Sequence, residues 1–506
     1  MSKALVAVVG LVVGLLVCFA WSSSAAPSKA AHGPRSAAAA VAAPSTAPEL
    51  VVEPSSTPTA TPTATQGEVR YIAVGGGATP EYTEVSLEQD IELATQVLRG
   101  PGLVLFAGGS ASSSVRTLAP PHDSLLRNLG ELFDPRGGRE SHYRRTVLNA
   151  LPATSENFEK SFVQALRAGS EPLLVYIASH GLQGEQARDN HVELWGGEPL
   201  DVAHLDKLEG AAVRPVRFVI ASCYAGGFAD LAFDRADPDH GPTRAPRCGL
   251  FAGTWDRQTS GCDPNPDRRE QEGYSMHVLH ALRAEDRAGK PLPLSELDLD
   301  GDGRVSLLEA HTRARIASQS IDVPTTTSER YLRAVEHRQV LPNLKLLPEE
   351  AAVVRRLGAR LHLGSKQAAE KRFAELGARL DALQDELDAA DAEQERLQGR
   401  LAAQLLARWP VLNDPYHDEF AAALSQNAAA IQKVLSESRE AKQYQQARGH
   451  ADELAGRASE LEPDEAVVLR LVRAYETLSL ATALTARGGA ALQHYQALLA
   501  CERGVP

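Results

Sequence analysis

The sequence predicts an α/β fold followed by an all-α region, and three observations carry that expectation. Short apolar runs of β-type residues recur at Tyr71-Ile72-Ala73-Val74, Leu103–Ala107, Leu173–Ala178 and Val216–Ala221. Helical stretches separate them, the alternation expected of βαβ units around a parallel sheet covered on both faces. Beyond Pro348 the strand-like runs stop and apolar residues fall at alternating three–four spacing, the period of helices.

The 506 residues suffice for two or three domains at about 100–200 residues each. A net charge of -13 excludes a duplex nucleic-acid binder, which needs a basic footprint to displace counterions.

At the N-terminus, Lys3 precedes an unbroken apolar or glycine run of 18 residues, Ala4 to Trp21, followed by Ser22-Ser23-Ser24-Ala25-Ala26. A charged start, an apolar stretch and small residues read as a secretory signal over 1–21. The run also reaches the lower edge of a membrane span, so an uncleaved anchor stays open beside cleavage. Either alternative carries the bulk of the chain out of the cytoplasm, to the cell envelope or beyond. Residues 22–66 are almost wholly Ala, Pro, Ser and Thr, too poor in apolar surface to fold and kept extended by proline. They read as a disordered linker.

The texture changes from Arg70, and 67–346 reads as the α/β domain. The strand Tyr71–Val74 ends in Gly75-Gly76-Gly77, and a helix follows around Leu87–Leu98. The glycine turn lacks a dinucleotide fingerprint, because Pro80 stands where the third glycine belongs. A helix near Asp201–Leu208 supplies the crossover between the third and fourth strands. Another near Tyr274–Leu282 carries His277 and His280, whose apolar neighbours and lack of a third ligand favour packing over metal binding.

Two strands end in the residues that carry chemistry: one in Ser179-His180-Gly181, the next in Ser222-Cys223-Tyr224-Ala225-Gly226-Gly227. Ligand sites of open α/β sheets form beyond the carboxyl ends of strands, so both side chains are expected in one crevice. A thiol with a pKa of about 8.5 is only a few per cent thiolate at neutral pH. A neighbouring imidazole raises the reactive fraction and later protonates a leaving amine. Gly181 permits close backbone approach, so that its N–H and that of Cys223 would face a developing oxyanion.

These two blocks resemble the histidine and cysteine blocks of caspase-like peptidases, most closely the legumain family. The resemblance spans about Arg70–Leu341 and implies a caspase–hemoglobinase fold that cleaves peptide bonds through an acyl-enzyme. It implies Cys223 as nucleophile, His180 as acid/base and Gly181 as an oxyanion donor. Two departures stand out. Legumains orient the histidine with an asparagine after the first strand, where this chain has Gly75–Thr79. Metacaspases carry an aspartate two positions before the cysteine, where this chain has Ala221. Trp255 and Asp256, past a predicted strand Gly249–Thr254, are candidates for a specificity pocket.

Asp298-Leu299-Asp300-Gly301-Asp302-Gly303-Arg304-Val305-Ser306-Leu307-Leu308-Glu309 fits the twelve-residue EF-hand loop. Carboxylates alternate at Asp298, Asp300 and Asp302, Gly303 permits the sharp turn, and Glu309 closes an oxygen cage to which Arg304 adds a carbonyl and Ser306 its side of the loop. A structural Ca2+ is expected here. Pro291-Leu292-Pro293 spoils a regular helix before the loop, which predicts a lone site.

In 347–506, Phe373, Leu376, Leu380, Leu383, Leu387, Ala390, Gln394, Leu397 and Leu401 trace a heptad seam, a coiled coil over about 366–408 ended by Trp409-Pro410. Amphipathic helices follow over about 418–450 and 463–500. The seam suits either a homo-oligomer or other protein partner, or a hairpin within the chain. Of five cysteines, Cys248 and Cys262 are near enough in sequence to be bridged, or to stay as two buried thiols. The function expected is an exported cysteine endopeptidase acting on peptides or proteins, the alternative a catalytically inactive peptide-binding scaffold organised by its coiled coil.

Overall fold

The computed structural model describes residues 68–118, 124–133, 141–210 and 213–506. The export signal or anchor read over 1–21 and the linker over 22–66 lie outside them. Among the described residues, no helix is long and apolar enough to cross a membrane.

Six strands, β1 (Tyr71–Gly76), β2 (Gly102–Phe106), β3 (Leu173–Ser179), β4 (Val216–Ala221), β5 (Arg247–Phe251) and β6 (Thr325–Thr326), form one sheet in the order β2-β1-β3-β4-β5-β6. The first five run parallel and β6 is antiparallel to β5, so the sheet is mixed. The predicted strand Gly249–Thr254 begins two residues earlier and stops at Phe251.

Every residue of β1 and β3 is buried, which explains their near-continuous apolar sequences. Alternate side chains feed opposite faces. Ala73, Tyr176 and Val219 join α1 (Val85–Val97) and two later helices on one face. Past a peripheral helix α2 (Leu125–Phe133), the helices α3 (Ser155–Arg167) and α4 (Val202–Glu209) pack Phe158, Phe162, Val202 and Leu205 against Val74, Ile177 and Ile220 on the other. The first face is completed by α5 (Tyr274–Leu282) and α6 (Leu307–Ala317).

The C-terminal region comprises α7 (Thr327–Val335), α8 (Pro348–Leu361), α9 (Lys366–Leu406), α10 (Phe420–Glu437), α11 (Arg439–Arg487) and α12 (Ala490–Glu502). The heptad seam is consumed inside the chain. Leu383, Leu387 and Ala390 of α9 pack on Ala451 and Leu454 of α11, while Leu397 and Leu401 meet Ile431, Val434 and Tyr444. That order makes α9 and α11 an antiparallel pair. A helix start predicted at Pro463 is corrected: α11 runs straight through it. Proline removes one backbone hydrogen bond there, but Val467, Leu471 and Leu478 beyond it are buried in a shared core that holds the helix together.

That core is shared with the α/β region. It joins Phe233, Cys248 and Tyr331 to Leu471, Leu478, Tyr495 and Leu498. A disulfide between Cys248 of β5 and Cys501 of α12, with Cα atoms 6.0 Å apart, ties the two regions covalently. The bridge between Cys248 and Cys262 entertained from sequence proximity is therefore not formed. Parallel β5 carries Cys248 into the core under α12, whereas Cys262 lies in the loop beyond the strand ends.

Candidate active site

The order of the strands reverses at β1, which pairs with β2 on one side and β3 on the other. A crevice opens beyond the carboxyl ends at such a switch point. His180 directly follows β3 and Cys223 lies two residues past β4. The register pairs Ala178 with Ala221, so His180 and Cys223, each two residues further on, emerge as neighbours from strands about 4.8 Å apart.

Gly181 meets this geometry in a way the sequence left undetermined. A Cβ built on it would lie 2.0 Å from the carbonyl oxygen of Cys223. Only glycine lets the two backbones pass, so its first requirement is steric. Tyr224 adopts a left-handed conformation, φ 59°, turning the chain sharply after the cysteine. A Cβ on Gly226 would strike the backbone of Thr254 and Trp255, and one on Gly227 the carbonyl of Ala187. Asn190 fastens this corner: its Nδ2 donates to the carbonyls of Tyr224 at 2.9 Å and Trp255 at 2.7 Å.

The imidazole of His180 has partners at both nitrogens. Nε2 lies 2.9 Å from Oε2 of Glu84, whose Oε1 is 3.3 Å from Nη2 of Arg116. Nδ1 lies 3.6 Å from Sγ of Cys262. Tyr82 sets its ring edge-on to the imidazole, centroids 5.8 Å apart. Burial works to lower the His180 pKa, but the charge and hydrogen bond of Glu84 outweigh it. With smaller contributions from Cys223 and Glu193, the pKa is raised to about 9. Glu84 moves the other way: burial works against its charge, but His180 and then Arg116 leave its pKa below the ordinary carboxylate value.

Glu84 is a residue that the sequence reading missed. It occupies the N-cap of α1, a position that favours Ser, Thr, Asp or Asn, and its side chain makes no capping bond. The carboxylate is spent on His180 instead.

Cys223 and Cys262 remain thiols. Cys223 is 5% exposed, lying under Thr259. The Thr259 N–H donates to Sγ at 3.3 Å, its hydroxyl lies at 3.8 Å and its carbonyl at 3.5 Å. Beneath the strand ends a cavity of about 10 Å³ is lined by Ala221, Ser222, Thr259, Cys262 and Tyr274. That is room for one water at most. Trp255 is partly exposed outside this cavity, and Asp256 accepts from the Thr254 hydroxyl at 2.7 Å.

In the acidic loop, Asp298, Asp300 and Asp302 bring carboxylate oxygens within 4.8 Å of one another. Gly301 and Gly303 take positive φ of 81° and 82° to fold the turn. Glu309 is not in that cluster. Its Oε1 accepts from the backbone of Leu299 at 2.5 Å, and its Oε2 from the backbone and hydroxyl of Ser306, where it caps α6. Three oxygens are gathered and the twelfth-position carboxylate is held beside them; no side-chain atom of Arg304 joins the cluster. His277 and His280 each take their own carboxylate, Glu272 at 2.6 Å and Glu285 at 3.3 Å, and form no shared site.

No protein-family model matches the chain, and no curated protein matches it.

Proposed function

We propose that this protein is a cysteine endopeptidase of the caspase-like class, exported from the cytoplasm, with Cys223 as nucleophile and His180 as acid and base. The observation that supports it most is the register that brings these two residues out side by side, with Glu84 behind the imidazole. With His180 protonated, the Cys223 thiolate attacks the scissile carbonyl carbon and its electron pair moves onto the oxygen. The imidazolium then donates its proton to the departing amine, leaving a thioester. Water, deprotonated by His180, attacks the thioester and returns the thiol. Glu84 keeps the ring oriented and stabilises its charged form in each half of the cycle where the imidazole holds the extra proton.

In this reading the acidic loop takes a structural Ca2+ through Asp298, Asp300 and Asp302 with Glu309 adjacent, which braces the N-terminus of α6. The 1–21 segment directs export or tethers the protein, and exposed surfaces of the C-terminal helices are available to protein partners. Substrates are peptides or proteins.

The burial of the Cys223 sulfur under Thr259 favours a second reading, an inactive scaffold that binds peptides without cleaving them. A peptidyl thiol-directed probe separates the two. Labelling of folded, calcium-loaded protein that disappears in Cys223→Ala supports the peptidase. Absence of labelling on that same preparation, with Cys223 still reactive to a small alkylating agent, supports the scaffold.

A further inference from the structure

Glu84, His180 and Cys262 hold three ligand atoms of different chemistry within 4.8 Å of one another. We propose that this cluster is a binding site for a soft divalent cation of the zinc class, held between Cys262 Sγ and His180 Nδ1, with Glu84 fixing the ring from behind. Occupancy silences the neighbouring thiol of Cys223.

The distances carry the argument. Zinc bonds sulfur at about 2.3 Å and imidazole nitrogen at about 2.0–2.1 Å. A tetrahedral angle between such bonds separates the two donors by about 3.5–3.6 Å. Cys262 Sγ and His180 Nδ1 stand 3.6 Å apart, the separation such an ion requires. Glu84 on Nε2 reproduces the arrangement in which a carboxylate takes the distal N–H of a metal-bound histidine, setting its tautomer and raising its donor strength. Arg116 on the other Glu84 oxygen keeps that carboxylate in place.

Cys223 lies close to this pair without belonging to the cluster. It emerges beside His180 by register, and Thr259, three residues before Cys262, touches its sulfur. A thiolate and an imidazole, with water filling the remaining positions, form a set suited to zinc and poorly suited to calcium or magnesium. The acidic loop, made of oxygens alone, is the opposite kind of site. An ion on His180 Nδ1 would take the imidazole away from the neighbouring Cys223 thiol. The binding claim itself stands whether or not the chain cleaves peptides.

The test uses the full-length chain with the Cys223 and Cys262 thiols reduced, titrated with Co2+ and then competed with Zn2+. Wild type is expected to develop a sulfur-to-cobalt charge-transfer absorption, which the all-oxygen loop cannot produce. Cys262→Ser is expected to lose at least about tenfold in affinity together with most of the band, and Glu84→Gln to weaken binding by about tenfold or more. Cys223→Ser is expected to retain the band, which comes from Cys262. Variants are compared only after their metal-free melting temperatures match wild type. Absence of the band in wild type overturns the proposal, as does wild-type affinity in Cys262→Ser. Failure of the peptidase reading is seen separately, as an unlabelled Cys223 in metal-free protein.

Discussion

Arg257 is held by Glu465 across 208 positions of the chain, Nη2 to Oε2 at 2.6 Å and Nη1 to Oε1 at 3.3 Å. The pair fastens α11 to the segment that lies over the Cys223 sulfur. Ser260 in that segment donates its N–H to Asp322 at 2.7 Å, and the Asp322 carbonyl accepts from the buried Arg470 at 2.5 Å. The C-terminal helices thus hold the cover over the thiol in place.

Loosening that hold is expected to expose the thiol. Glu465→Ala leaves Arg257 without its carboxylate and should speed alkylation of Cys223 by about tenfold, the effect of losing ~1.4 kcal/mol from local closure. Timed alkylation read by mass spectrometry measures it. An unchanged rate would mean that α11 does not govern access.

The His180–Glu84 pair has a pH signature. The folded pKa of His180, about 9, lies above the ordinary value of 6.5. The stability it contributes is therefore fully present below about pH 6.5 and is lost as pH rises through about 9. Wild type should melt above Glu84→Gln by the largest margin at pH 6 and by a shrinking one towards pH 10. Under the peptidase reading, activity should fall on an alkaline limb near 9, and Glu84→Gln should lower that limb and reduce kcat/KM by about a hundredfold.

Calcium is expected to raise the melting temperature, and Asp298→Ala to abolish that rise. Asp298 is the sensitive choice because it already gathers the N–H groups of Gly301, Asp302 and Gly303. An undiminished calcium response in the variant would exclude the loop as its source.

The Cys248–Cys501 disulfide closes a loop of 253 positions and anchors α12 against β5. Cys501→Ser should cost about 2–4 kcal/mol. Chemical denaturation with and without reductant reads the effect. Wild type and variant should become similar once the bridge is reduced.

How much was legible in advance varies by element. The strands at Tyr71 and Leu173 were readable because a strand covered on both faces leaves a continuous apolar run, and the acidic turn because its alternating carboxylates and glycines are local. His180, Gly181 and Cys223 could be singled out because they directly follow such strands. Glu84 could not, since its meaning lies in a partner 96 positions away. The cysteine pairing escaped for the same reason, sequence proximity being a poor guide when a sheet and a distant helix share a core.

By itself, then, the sequence determined the four apolar strands, where the acidic turn lies, and which thiol and imidazole follow strand ends. Those properties depend on periodicity and on residues a few positions apart. Only the tertiary structure decided that Glu84 backs His180, that Cys262 stands at its other nitrogen, that Thr259 covers Cys223, and that α12 is stapled to β5. Each is a contact between segments that chain distance leaves unrelated, and packing of the helices on the sheet is what brings them within bonding range.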